Sequence, residues 1–266
     1  MLVVGEKINS SIKEVEEAIL QRNESFIQDL AKRQMLAGAD YLEVNSGLRV
    51  YPEEEAEDME WLVPLVQGVT GLPLCIDSAY PLVLKTALRH HQGIAIINSI
   101  SGDPDRWEVI LPLAKQYGCF IVALPSDRSG IPSNAAGRVK IAERISQGVL
   151  SYGIPLQSLY IDPLVMPLSA DTRTGTLFIT TLKEMKQALP EAKTISGLSN
   201  ISYGLPRRSL INQAFLILSL GAGLEAAILN PLDQRLMALL KATEALLNRD
   251  PFCQKYIGAY REGRLA

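Results

Sequence analysis

The chain has 266 residues, 47% of them hydrophobic, with a formal charge of −3. That is enough apolar material for one core and reads as a single domain over 1–266, and the balance of charge gives no electrostatic footing for nucleic acid. No run approaches the ~18 apolar residues of a membrane span, and the opening MLVVGEKINS enters a strand-like run instead of a secretion signal, so no membrane partner and a cytoplasmic location are expected.

Eight apolar runs follow one another: 2–9 (LVVGEKIN), 41–47 (YLEVNSG), 72–78 (LPLCIDS), 93–99 (GIAIINS), 119–127 (CFIVALPSD), 159–163 (LYIDP), 193–200 (KTISGLSN) and 224–231 (LEAAILNP). Short runs rich in Val, Ile and Leu read as strands buried on both faces, the pattern of a parallel sheet. Between and after them lie segments with helical patterning: 13–36, 56–69, 81–89, 107–117, 136–152, 177–189, 209–220 and 233–247. Eightfold strand–helix alternation at this length predicts an α/β fold of the (β/α)8 TIM-barrel type. An open doubly wound sheet is the competing architecture, but GEKIN carries one glycine where a dinucleotide-binding turn needs three.

Each run ends on or near a polar group: Glu6 and Asn9, Glu43 and Asn45, Asp77, Asn98, Asp162, Ser199 and Asn200, and Asn230. In a barrel these tips gather on the active-site face. Carboxylates and carboxamides together offer donors and acceptors, which suits a flat heterocycle bearing N–H and C=O groups and suits a polyphosphate poorly. The competing reading is that Asn, Asp and Ser only stabilise turns and cap the next helix, as Asp77-Ser78 or Asp162-Pro163 could. Asn98 argues against it, since it lies inside its apolar run.

Other chemistries lack candidates. His90 and His91 are adjacent, about 100° apart on a helix, with no ligand at metal spacing, so no bound metal is expected. Neither a Walker loop nor a GxSxG elbow is present, and Lys193 opens its strand, at the wrong end for Schiff-base work. Of the three cysteines, Cys75 and Cys119 sit in apolar runs as reduced core thiols. Arg207-Arg208 is the one feature leaning toward a phosphate-binding lyase.

GEKIN, EVNSG, CIDS, IINS, YIDPL and GLSN, in this order, resemble the pterin-binding methyltransferases that move a methyl group between tetrahydrofolate and a protein-bound corrinoid, including components of corrinoid-dependent O-demethylase systems. The likeness runs from Met1 to about Asn248. It implies a dihydropteroate-synthase-like barrel in which Asp77, Asn98 and Asp162 hold the pterin, Gly197, Ser199 and Asn200 line the pocket near N5, and Arg208 stands at its edge; Glu6 and Met166 complete the candidate pterin contacts. Asn200 is the implied catalytic residue, with Asp77 and Asp162 relaying or balancing a proton. The resemblance further implies methyltetrahydrofolate or tetrahydrofolate as substrate, cobalamin supplied by a separate corrinoid protein, and a homodimer. No corrinoid-binding DxHxxG motif occurs, and the chain is expected to end without room for a second domain.

The family's frequent Asp at the second strand is Glu43 here, Met166 replaces a branched apolar residue, and Tyr203 stands where an amide side chain occurs in a relative. The long Gly-, Pro- and Ser-rich loop 125–137 is a candidate contact for the corrinoid protein, or a plain solvated connection. Alternatives of other kinds are dihydropteroate synthase, which uses Lys where this chain has Asn200, and a folate-binding protein without catalysis.

Overall fold

The computed structural model describes residues 1–265. Eight parallel strands, β1 (Leu2–Asn9), β2 (Tyr41–Asn45), β3 (Leu74–Asp77), β4 (Ile96–Ile100), β5 (Phe120–Ala123), β6 (Leu159–Ile161), β7 (Lys193–Thr194) and β8 (Ala226–Leu229), are ordered β7-β6-β5-β4-β3-β2-β1-β8. β7 is only two residues long because the chain leaves the ladder early and coils into a 3-10 turn, Leu198–Ser202. The ring closes beyond it: Ile195 N–H donates to Ile161 O (3.1 Å), Ile228 N–H donates to Ser196 O (2.8 Å), and Gly197 bridges Ile228. The barrel is the expected architecture, not the open sheet.

The helices form the outer layer: α1 (Lys13–Leu20), α2 (Glu24–Leu36), α3 (Pro52–Thr70), α4 (Pro81–His90), α5 (Pro104–Tyr117), α6 (Ala135–Ser151), α7 (Thr174–Ala188), α8 (Arg208–Ala222), α9 (Gln234–Leu246) and α10 (Gln254–Arg261). The segment 13–36, expected as one helix, is two. Arg22 takes a left-handed φ of 51°, Asn23 Oδ1 accepts from Phe26 N–H and starts α2, and the Arg22 guanidinium pairs with buried Asp58 (2.9 Å) and lies over Trp61. The closing helix α10 was not anticipated.

Strand alternation sorts the side chains into two cores. One face of each strand packs on the helices, with Val3, Leu42, Leu74, Ile97, Ile121, Leu159 and Ala227 in a single large cluster. The other face fills the barrel interior with Val4, Tyr41, Cys75, Ile96, Val122, Tyr160, Ile195, Ala226 and Ile228. One more step of two residues carries the inner face to Glu6, Glu43, Asp77, Asn98, Leu124, Asp162, Gly197 and Asn230. The polar tips are therefore the mouth-side layer of the barrel interior. Their alignment follows from the pleat.

Two register shifts trim this layer. One extra residue lies between Gly5 and Ile8 against β2, and another between Asn98 and Ile100 against β5. These bulges turn Ile8 and Ile100 into the outer core and re-aim the residues around them, a common device at barrel rims. At the opposite end Lys193 Nζ lies over the Phe120 and Tyr160 rings, so the lysine that opens its strand is remote from the mouth.

Candidate active site

The carboxyl groups converge at the mouth. Asn9 Nδ2 donates to Glu43 Oε2 (3.3 Å), Asn45 Nδ2 donates to Asp77 Oδ2 (2.9 Å), and Ser199 Oγ donates to Glu6 Oε2 across residues 193 positions apart in sequence. Burial raises every one of these acids above its ordinary range. Asp77 is pushed up to about 6 mainly by desolvation, against the lowering effect of the Asn45 hydrogen bond. Glu43 is raised well above the usual carboxylate range by desolvation and then by the charge of Asp77, with Asn9 and Asn98 as its hydrogen-bonding carboxamides. Desolvation also raises Glu6, opposed by Ser199, Lys7 and Arg208. Two carboxyl groups on adjacent strands of a dry floor oppose each other's ionisation, so each holds its proton more tightly than an exposed carboxylate does.

Asp162 stands apart from that pair. Its Oδ1 accepts from Leu164 N–H (2.8 Å) and its Oδ2 from Gly197 N–H (3.3 Å), yet burial still pushes it up to about 6. The Leu164 bond makes Asp162 a turn former as well as a mouth acid, so here both competing readings of the tips apply. Asn230 Oδ1 accepts from Leu232 N–H (3.1 Å), the turn role alone. Side-chain helix caps come from Asn23, Asn134 and Asp233, and the N-cap position of α4 is Tyr80, which makes no side-chain cap bond, and not Asp77.

Over this floor runs the 3-10 turn after β7. Asn200 N–H donates to Gly197 O (3.2 Å) and its C=O accepts from Tyr203 N–H (3.1 Å), leaving the carboxamide exposed at the mouth. Gly197 leaves room for the Asn200 side chain: a Cβ there would lie 3.0 Å from Asn200 Nδ2 and press on it. Arg208, at the start of α8, donates from Nη2 to Ser199 O (2.8 Å) and from Nε to Ser202 Oγ (3.0 Å), tying the turn down. This use of its donors accounts for Arg208 without a phosphate site. Met166 is 40% exposed and lies at the lip of a groove of about 590 Å³ between α6 and α7, outside the ring of acids.

Loop 125–137 is anchored. Arg144 Nη2 pairs with Asp127 Oδ2 (2.7 Å), Arg128 pairs with Asp105, and Arg128 N–H donates to Asp103 Oδ1 (3.0 Å). His91 Nε2 accepts from Leu74 N–H (3.0 Å), and among the described residues no group of three His, Cys, Asp or Glu is placed to hold a metal ion. Sequence reasoning named Glu43 and Asn45 as tips but missed their pairing around Asp77. It also missed Glu55, whose fully buried carboxyl on α3 adds to the raising of Asp77. The alternation in YLEVN was the available signal for the first two; Glu55 sits in an acidic run that reads as a solvated helix face.

A closed parallel barrel whose mouth gathers four carboxyl groups and two carboxamides, with the Asn200 amide exposed beside them, has the layout of an enzyme site. The chain matches the model of the pterin binding enzyme family over residues 12–230 and belongs to that family. It is 35% identical over 267 residues to the methylcorrinoid:tetrahydrofolate methyltransferase of Eubacterium limosum, covering 100% of this chain and 98% of that one, and it groups with the methyltransferases. A methionine synthase of Mycobacterium tuberculosis is 30% identical over 243 residues, 86% of this chain and 20% of that longer protein. Among solved structures, DHPS of Yersinia pestis with a pterine-sulfa conjugate superposes with a TM-score of 0.67 at 17% identity, over 92% and 94% of the two chains, a likeness of fold alone.

Proposed function

We propose that this methyltransferase moves a methyl group between N5 of tetrahydrofolate and the cobalt of a corrinoid carried on a separate protein. The observation that carries the reading is the exposed Asn200 carboxamide beside a floor of buried acids whose ionisation burial opposes, in a chain similar from end to end to a methyltransferase whose name couples methylcorrinoid and tetrahydrofolate.

In the folate-to-cobalt direction a Co(I) nucleophile forms the Co–CH3 bond and is oxidised formally to Co(III), while the N5–CH3 electron pair returns to nitrogen. A tertiary amine leaves poorly, so N5 gains a proton before or as the bond breaks. Asn200, swung over N5, accepts from the protonated nitrogen and favours the charge that the transition state needs. Asp77, Asn98 and Asp162 hold the pterin edge, Glu6, Gly197, Ser199 and Arg208 shape the wall beside it, and Met166 meets the substrate at the lip. Asp77 and Asp162, both raised by burial, relay or balance the proton delivered to N5. Run backwards, the same contacts serve demethylation of methylcobalt, so either direction fits the site.

The corrinoid protein docks across the mouth, with the anchored 125–137 loop as part of the contact. If deleting the loop tip left transfer to that partner unchanged, loop contact would be discarded. A homodimer is supported by the outward face of α8, where Leu210, Ile217 and Leu218 are exposed and no charge occurs between Ser209 and Ala222. An uncharged patch can meet its own copy across a two-fold axis without self-repulsion. No helix among the described residues is long and apolar enough to cross a membrane, and a cytoplasmic site of action fits the reduced core thiols.

The test is spectroscopic: mix the protein with methyltetrahydrofolate and Co(I) cobalamin without oxygen and follow methylcobalamin. Asn200→Ala should slow transfer by roughly 10- to 1000-fold while weakening folate binding far less. Equal losses would make Asn200 a binding residue only, and absence of folate binding to the unaltered protein would overturn the pterin reading.

A further inference from the structure

Arg138 is a buried cation that neither the motifs nor the proposed chemistry uses. It lies on α6 with 2% of its surface exposed. Its guanidinium donates from Nε to Pro132 O (3.0 Å) and from Nη1 to Pro163 O (2.8 Å) and Leu164 O (2.6 Å). Those carbonyls belong to two loops of the mouth: Pro132 precedes α6, and Pro163 and Leu164 directly follow Asp162. A fixed fork of donors suits this task, where the point charge of a lysine would not.

Leu164 has φ of 64°, a conformation that a leucine seldom adopts unless its surroundings hold it. Here both sides of the residue are held. Its N–H is taken by Asp162 Oδ1 and its C=O by Arg138, so the Asp162 carboxylate, Leu164 and the guanidinium form one clamp. The groups facing Asp162 are the backbone N–H of Leu164, the backbone N–H of Gly197 and, through space, the charge of Arg138. Carbonyl partners take up Nε and Nη1 of the guanidinium but leave its charge without a carboxylate in contact. Burial accordingly lowers Arg138 from its usual range, with Asp162 opposing that change.

We propose that Arg138 is a positioning residue for pterin recognition: by holding the turn after β6 against the loop before α6, it presets the direction and charge of Asp162 before substrate arrives. This rests on the reading of Asp162 as a pterin-binding group.

The full-length protein carrying Arg138→Met or Arg138→Lys tests it. In Arg138→Met, the carboxyl carbon resonance of Asp162, followed by NMR without ligand, should titrate at higher pH than in the unaltered protein. Exchange of the Leu164 amide should speed up by about tenfold, with tetrahydrofolate binding about tenfold weaker by calorimetry. Arg138→Lys keeps the charge but loses the fork, so it should leave Leu164 exchange fast and bring the titration only part of the way back, because the Leu164 N–H bond to Asp162 stays loosened. Loss of overall stability alone would move neither the titration nor this contrast between the two variants. Unchanged Asp162 titration and Leu164 exchange in Arg138→Met would overturn the inference; should that variant not fold, Arg138→Lys with exchange and affinity like those of the unaltered protein would do so. If the unaltered protein binds no folate, it is the proposed function that fails.

Discussion

Replacing Asp77 by Asn should make the protein more stable at neutral pH while impairing its site. The reason lies in the floor of the mouth, where burial raises Asp77 from 3.8 to about 6. Such a raised acid binds its proton more tightly in the folded chain than in the unfolded one. Its contribution to stability is therefore complete below the unfolded value and is lost as pH rises through the folded one. A shift of about two units corresponds to an upper limit of about 3 kcal/mol. Contact with water at the mouth and the electrostatic coupling to Glu43 reduce the expected gain to about 1–2 kcal/mol. Asn is a fair substitute because its carbonyl oxygen can still accept from Asn45 Nδ2, the bond Asp77 Oδ2 accepts at 2.9 Å. Urea unfolding of both proteins from pH 4 to pH 8 is the assay. The stability difference should be largest above about pH 7, shrink through about pH 6 and vanish near pH 4, and tetrahydrofolate affinity should fall. An Asp77→Asn variant less stable than the original at pH 8, or a difference that ignores pH, would refute the account of a strained acid in the floor.

Further outcomes follow from contacts around the mouth and in the helical layer. Gly197→Ala should fold normally, since φ of −71° suits alanine, but its Cβ would press at 3.0 Å on Asn200 Nδ2; methyl transfer is expected to fall about tenfold with folate affinity nearly kept, read as a kcat loss at constant KM. Gly148→Ala places a Cβ 2.4 Å from the buried Trp107 ring and should destabilise by about 1–3 kcal/mol in urea without altering the pH dependence of transfer. Ser199→Ala removes the donor to Glu6, which leaves that acid further raised; if Glu6 contributes to the pH dependence, transfer should then decline at a higher pH than in the unaltered protein, and an unmoved profile would limit Glu6 to shaping the wall.

The sequence by itself determined the barrel and the membership of its mouth. Eight apolar runs report burial on both strand faces, and the step of two from Cys75 to Asp77, from Ile96 to Asn98 or from Tyr160 to Asp162 already carries the interior layer to the polar rim. Such patterns are local, set by backbone geometry within a few residues, and residue order alone makes them visible.

Tertiary structure decided what those residues do. Glu43 acquires its raised affinity for a proton from Asp77 on a neighbouring strand, and Ser199 meets Glu6 only because the ring closes through Ser196 and Ile228. The break at Arg22 depends on Asp58 and Trp61 of α3, and Arg138 finds three carbonyls on two loops that nothing in its helical surroundings announces. Asp162 and Asn230 end equivalent strands, yet one accepts from the Gly197 N–H beyond β7 and feels the charge of a buried cation while the other only makes its turn. The physical reason is common to all of them: propensity and periodicity act along the chain, whereas desolvation and the pairing of charges depend on which distant groups closure brings within a few ångströms.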